Sequence, residues 1–400
     1  MIRVLFVPTL SAGVSYWRLY NFRESLRRNK YAESQLLWWD RKLTDSHPWQ
    51  KDIADPIFNA RIADELNAYV READVIVFGS VQTIPALSTI YSIRDAYPDK
   101  IIVCETDDDV TDAPVYNPAS QSYTPGSEVM GIALQQMKDA DALIVSTPYL
   151  KEVYSEFCDT IHVAQNSIDT EHWGKATRKN HGGIRIGWAG GASHDEDLRI
   201  LLPVMDKVGA ACPEAKWVFV HGAAPFLRGR PDVECVDAWG RIDRYPKFLA
   251  HQGFTIGVAP LVDNKFNRAK SNLRWLEYSA LGIPTVASNV GHFAETIKTG
   301  HDGFLAEDED QFAAHIIELI RSKELRAKIS KAAKERMATD FNVDRVAFDY
   351  ARFLEKIVER GPVKKAPAIG GGVDWETVTP LPELGAGEQL PVEILTTEAA

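Results

Sequence analysis

The stretch FNRAKSNLRWLEYSALGIPTVAS, residues 266–288, sets an acidic side chain on an apolar helix face. Leu273, Leu276 and Ala280 recur at i, i+3 and i+7, and Glu277 falls on the same face. Burying an unpaired carboxylate is expensive, so Glu277 needs a partner or a cavity. Lys270 stands directly before this helix, which Ser271 or Asn272 is expected to start. Backbone N–H groups, the positive end of the helix dipole and a cation therefore converge. A diphosphate suits that arrangement. A carboxylate further along the helix would accept from both hydroxyls of an attached ribose. The plain alternative is an ion pair of Glu277 with Lys270 or Arg274, and Arg274 at i−3 is within reach.

Three other loops carry chemistry-bearing residues. CETDDDV places Asp107, Asp108 and Asp109 in a row. Like charges repel, so the cluster points either to a cleft that uses carboxylates on hydroxyls or on a proton, or to a solvated turn with a capping Asp. Asp107-x-Asp109 also fits the DxD pattern of metal-dependent nucleotide-sugar enzymes. In IGWAGGASHDEDL, Gly190 and Gly191 let a ligand approach the backbone, His194 follows on the loop, and Asp195 or Asp197 favours the next helix N-terminus. In PTLSAGVSYWR, Gly13 permits a tight turn, Ser11 or Ser15 caps a helix, and Arg18 sits one turn in, facing either a cleft or solvent.

These loops follow strand-like runs, which fixes what must hold them. Short apolar, β-branched runs occur at 2–8, 35–40, 74–80, 100–106, 141–147 and 160–166, separated mostly by amphipathic segments. A second series follows at 184–191, 215–222, 233–239, 254–261, 284–289 and 303–308. Runs this apolar suit strands covered on both faces, and βαβα order predicts parallel sheets sandwiched by helices. The expectation is an α/β chain of two Rossmann-like, doubly wound domains facing across a cleft, with ligands beyond the carboxyl ends of the strands. Residues 1–170 form the first domain, 171–183 the linker and 184–342 the second domain. Residues 343–360 form a closing helix after a long helical pattern at 309–340, and 361–400, rich in Gly, Pro, Glu and Thr, are expected to be disordered.

Set side by side, these pieces resemble the retaining GT-B glycosyltransferases of the family 4, or group 1, type. EYSALGIPTVAS is similar to the family's stretch at the second glutamate of its E-x7-E motif. HVAQNSIDTEHW resembles its N-[GS]-[IV]-D segment, ADALIVSTPYLKEVY its fifth strand and following helix, and DFNVDRVAFDYARFLEKI the helix that crosses back onto the first domain. GWAGG-x-x-H-D-x-D-L with K-S-N-L-[KR]-W-x-E-Y and E-x-D-D-D is similar to a recurrent subgroup pattern. The resemblance implies transfer of a sugar from a nucleotide-diphosphate sugar to a hydroxyl acceptor, with retention and without a metal or other cofactor. Under it, Glu277, Lys270 and Asp107 are catalytic. Gly190, Gly191, His194, Lys270, Ser271, Asn272, Leu273 and Glu277 bind the donor. Gly13, Tyr16, Arg18, Asp107 and Asp108 bind the acceptor. Two departures stand out: Ala269 occupies the place of the first glutamate, and the usual Arg and Lys of the second domain's first loops are replaced by His194 and Arg199.

Composition bounds the partners. A formal net charge of -11 argues against nucleic acid, which is usually met by a basic footprint. The four cysteines form no CxxC pair and read as reduced thiols of a cytoplasmic protein. The N-terminus lacks a signal-peptide h-region and no run is long enough to span a membrane. Arg18, Arg23, Arg27, Arg28 and Lys30 leave peripheral contact with an anionic inner membrane face open, though a solvated face explains them too. The acceptor is a glycan, a lipid-linked sugar or another hydroxyl compound, and the setting is glycan synthesis. Three other functions fit the same fold: a nucleotide-sugar 2-epimerase, a non-catalytic nucleotide-sugar binder, and a phage DNA-modifying glycosyltransferase.

Overall fold

The computed structural model of the 400-residue chain describes residues 1–8, 12–37, 65–114, 123–124, 126–191, 194–220, 224–237 and 242–364. Ser11 and most of the C-terminal tail lie outside them. The first sheet holds β1 (Arg3–Val7), β2 (Glu33–Leu36), β3 (Val75–Gly79), β4 (Ile101–Thr106), β5 (Ala142–Val145) and β6 (Ile161–Val163), in the order β2-β1-β3-β4-β5-β6. The second holds β7 (Arg185–Ala189), β8 (Lys216–Val220), β9 (Val233–Val236), β10 (Ile256–Ala259), β11 (Thr285–Ser288) and β12 (Phe304–Ala306), in the order β12-β11-β10-β7-β8-β9. Every pairing is parallel. The α/β fold class expected from the alternation is the one observed.

Strand composition explains the layering. β3, β4, β5, β10 and β11 are buried along their whole length, because helices cover both faces. The charged Arg3, exposed at the start of β1, pairs with Asp74 at 3.0 Å. The pattern at 309–340 divides into two helices, Glu309–Arg321 and Lys323–Asp340. Ser322 between them leaves helical geometry at φ -121° and ψ 106°, and its hydroxyl accepts from the Leu325 N–H. At the junction of the first domain and the stretch assigned as linker, Asp169 caps a short helix, Thr170–Gly174, whose Trp173 packs tilted against Trp17 and edge-on to Tyr245.

The closing helix Val343–Arg360 lies on the first domain. Its buried Tyr350 stacks on Phe22 at 5.0 Å, and Asp344 accepts from Ser25, Arg28 and Asn29. This contact also occupies the basic helix Asn21–Arg28: Arg23 and Arg27 pair with Glu24, and Arg28 with Asp169 and Asp344. Among the described residues, no helix is long and apolar enough to cross a membrane.

Three hydrogen-bonded contacts stitch the domains together where the strand ends face each other. Thr147 donates to the carbonyl of Ala269 at 3.2 Å, Asn166 donates to the Ser271 hydroxyl at 2.7 Å, and the Lys270 ammonium meets Asp108 at 2.7 Å.

Candidate functional site

The helix Leu273–Ala280 is seated by its aromatic residues. Trp275 donates from its indole to the Asp302 carbonyl at 2.8 Å, and the Tyr278 hydroxyl accepts from the Ala189 N–H at 3.2 Å. Tyr278 comes so close to β10 that a Cβ on Gly257 would lie 2.3 Å from its ring. With these two side chains in the core, the face carrying Leu273, Arg274 and Glu277 is turned to a cavity of about 710 Å³ between the domains. The sequence stripe is therefore split: Leu276 and Ala280 go to the core, while half-buried Leu273 lines the cavity.

Glu277 is 5% exposed and meets Tyr245, whose hydroxyl donates to Oε2 at 3.2 Å. It forms no salt bridge with Lys270 or Arg274 among the described residues. Burial pushes its carboxyl up to about 7, with the Arg274 charge and the Tyr245 hydrogen bond working the other way. Arg274 instead spreads its guanidinium over the Trp188 ring at 5.0 Å, and its Nε is buried without a hydrogen-bond partner among the described residues.

The helix starts at Asn272, whose carbonyl accepts from Leu276 N–H while its amide donates to Thr296. No side chain caps the N-terminus. The N–H groups of the first turn, from Leu273 to Trp275, precede the first intrahelical bond. Ser271 and Lys270 line the cavity beside them, and Lys270 is held by Asp108. Asn272 is fully buried and does not line the cavity.

Gly190, Gly191 and His194 line the same cavity beside Arg274. A Cβ on Gly190 would sit 2.0 Å from the Arg274 guanidinium and 2.6 Å from the Trp188 ring, whereas one on Gly191 or Gly13 would meet nothing within 4 Å. Gly190→Ala is therefore expected to displace Arg274 and lower the cavity's affinity for an anion, while Gly191→Ala leaves it within about twofold, since its Cβ enters open space. Titration calorimetry of the two variants checks this.

Burial and the Arg274 charge push His194 down to about 4, so its imidazole is neutral at pH 7. Nδ1 lies 2.7 Å from Asp197, an acceptor, so it carries the proton and leaves Nε2 as an acceptor. Asp197 is not a helix cap: its other oxygen accepts from Val262 N–H and Asn267, both at 2.8 Å.

The first domain supplies Gly13, Val14, Trp17, Asn166, Asp107 and Asp108 to the same cavity. Burial pushes Asp107 up to about 7, reinforced by Asp108 and Glu105 and opposed by Arg18 and Lys270. Asp109 turns away and accepts from both the N–H and the hydroxyl of Thr111, a turn-forming role. Arg18 does not line the large cavity. It is fully buried, donating to Glu105 at 2.6 Å, to the Ala164 carbonyl at 2.7 Å and to Asn166 at 2.9 Å. Tyr16 is in the core, stacked on Tyr20 and edge-on to Trp17, and lines no cavity described here. Tyr245 and Asn166 were not singled out from the sequence. Tyr245 is 32 positions from Glu277 and has no spacing signal, whereas Asn166 stands within the quoted NSID segment.

Two six-stranded parallel sheets facing a common cavity define the GT-B fold. The comparisons agree. Residues 273–336, which include the Glu277 helix, match the family described as Glycosyl transferases group 1. Among solved structures, HepE of Anabaena in complex with UDP-glucose superposes with a TM-score of 0.62 at 14% identity, covering 89% of this chain and 100% of that one. Sucrose-phosphate synthase of Thermosynechococcus elongatus gives 0.60 at 13%, covering 90% and 100%. A glycosyltransferase of Rickettsia africae gives 0.55 at 14%, covering 90% and 99%. No curated protein matches the chain in sequence.

Proposed function

We propose that the chain is a glycosyltransferase that takes a sugar from a nucleotide-diphosphate sugar, with uridine as the base to test first, and joins it with retention to a hydroxyl acceptor. The carrying observation is one helix that offers a free N-terminus beside Lys270 and, about 6 Å along its axis from Leu273, a buried carboxylate paired to no cation. That spacing suits a diphosphate followed by a ribose. HepE, which shares the fold, is described with UDP-glucose.

In this reading the N–H groups of residues 273–275, Lys270 and Arg274 hold the diphosphate. Glu277 accepts from the ribose hydroxyls. The donor sugar lies toward Gly190, Gly191 and His194, whose Nε2 accepts from a sugar hydroxyl. The acceptor oxygen attacks the anomeric carbon from the face the diphosphate is leaving. A C–O bond forms as the bond to the phosphate oxygen breaks with its electron pair. The acceptor proton goes to that phosphate oxygen, while Asp107 orients the hydroxyl. Lys270, Arg274 and the helix N-terminus stabilise the departing charge, which supports a reaction without a metal. Glycan synthesis at the cytoplasmic side is the setting this reading favours.

A thermal-shift series with UDP-, GDP-, ADP- and dTDP-sugars tests the reading. A ligand that binds only the folded chain raises the midpoint, by about 2.7 kcal/mol of stability at one hundred times Kd. No shift with any of them would overturn it.

A further inference from the structure

Beneath the interdomain cavity lies a second chamber of about 190 Å³, entered past Val14, Asp107 and Asp108, which line both. The transfer reading needs only that an acceptor hydroxyl reach the anomeric carbon. We infer that this chamber holds the acceptor as a single uncharged or amino-substituted sugar ring, and that its wall rejects rings carrying a phosphate or a carboxylate. The inference rests on the nucleotide-sugar reading for the chamber's purpose, though not for its binding preference.

Size sets the first limit. At about 190 Å³ the chamber has room for a pyranose-sized ring, and anything longer must extend into the interdomain cavity. The wall is polar where a ring's hydroxyls would lie: Gln82 donates to the Tyr123 hydroxyl at 2.6 Å, and Ser15 and Asp107 complete the rim. Arg18 gives the second, independent sign. It is 0% exposed, lines the chamber, and its Nη2 has no hydrogen-bond partner among the described residues, although its other nitrogens are satisfied. A buried guanidinium N–H without an acceptor is costly, and an oxygen of a bound ring would satisfy it.

Charge sets the second limit. The chamber wall has three carboxylates, Glu105, Asp107 and Asp108. Arg18 is bonded to Glu105 and Lys270 to Asp108, so each cation is balanced by a carboxylate, and among the described residues Asp107 is the carboxylate left without one. No described residue hydrogen-bonds the Asp107 carboxylate, and the buried position holds its proton more tightly than usual. A hydroxyl or ammonium meeting Asp107 gains a hydrogen bond. Above pH 7, where Asp107 is ionised, a phosphate or carboxylate meeting it adds a like charge in a partly desolvated site.

Calorimetry on the full chain at pH 8, with and without saturating UDP, would use methyl gluco-, galacto- and mannopyranosides, their 2-amino analogues, their 6-phosphates and the corresponding uronates. At least one neutral ring should bind, its 2-amino analogue as tightly or tighter, and its anionic counterparts more weakly by about tenfold or more. Asp107→Asn should narrow that gap several-fold. Gln82→Leu, which keeps every carboxylate, should weaken the neutral ring and preserve the discrimination. An anionic ring that binds as well as its neutral parent overturns the inference, as does failure of every ring to bind under both conditions. UDP that fails to bind while neutral rings do would remove the nucleotide-sugar reading and leave the chamber's preference standing.

Discussion

Glu277→Gln should produce a protein that is more stable at pH 8 and nearly inactive. The carboxyl is pushed up to about 7 in the folded chain from an ordinary 4.5. An acid whose folded pKa is raised holds its proton more tightly when folded, so stability is greatest at low pH and is lost as pH rises from about 4.5 to 7. Above that window the full difference amounts to roughly 3 kcal/mol. Glutamine keeps the volume, can still accept from Tyr245, and carries no charge to desolvate. The variant should therefore unfold several degrees higher at pH 8, with the difference vanishing near pH 4. In the proposed complex the same change removes a charged acceptor for two ribose hydroxyls. Hydrogen bonds to charged groups contribute about 1.5–3 kcal/mol each, so kcat/KM for the nucleotide sugar should fall by about 100-fold or more. Scanning calorimetry at both pH values and steady-state kinetics test the two halves separately. Unchanged kcat/KM would remove Glu277 from the ribose, whatever the stability shows.

Lys270→Ala should fall mainly on kcat. Lys270 sits at the mouth of the helix N-terminus with its ammonium 2.7 Å from Asp108 and over the Phe266 ring at 4.3 Å. Charge develops on the diphosphate as the glycosidic bond breaks, so a cation there matters more in the transition state than in the bound donor. Loss of one such group typically costs about 10²–10³ in kcat. Asp108 competes for the same ammonium. A partly exposed pair of this kind contributes about 0.2–1 kcal/mol, so Asp108→Asn should tighten UDP by up to about fivefold. If Lys270→Ala raises the donor KM and leaves kcat unchanged, Lys270 only binds the donor and does not assist departure. If Asp108→Asn weakens UDP, the pair orders Lys270 for the ligand instead of competing with it.

Much of this architecture is local in origin. Runs such as VIVFG and the IIVC that opens β4 are apolar throughout and therefore demand cover on both faces, which alternation with helices provides. The helix N-terminus after Lys270 and the buried position of Glu277 likewise follow from a handful of adjacent residues, and the glycine pair after β7 marks a close approach. What needed the folded chain is everything set by contacts distant in sequence. Nothing near Arg274 says that it will lie across Trp188 and leave Glu277 to Tyr245. Nothing near Arg18 says that it will vanish beneath the cleft onto Glu105, 87 positions away. Ala269, odd when set beside the glutamate expected in its place, becomes intelligible only in three dimensions: it is fully buried against the first domain, its carbonyl taken by Thr147. Periodicity reports which face of an element is buried, because burial repeats with the backbone. Which charge meets which is decided by the approach of two separate sheets, and that information is carried by no single stretch of the chain.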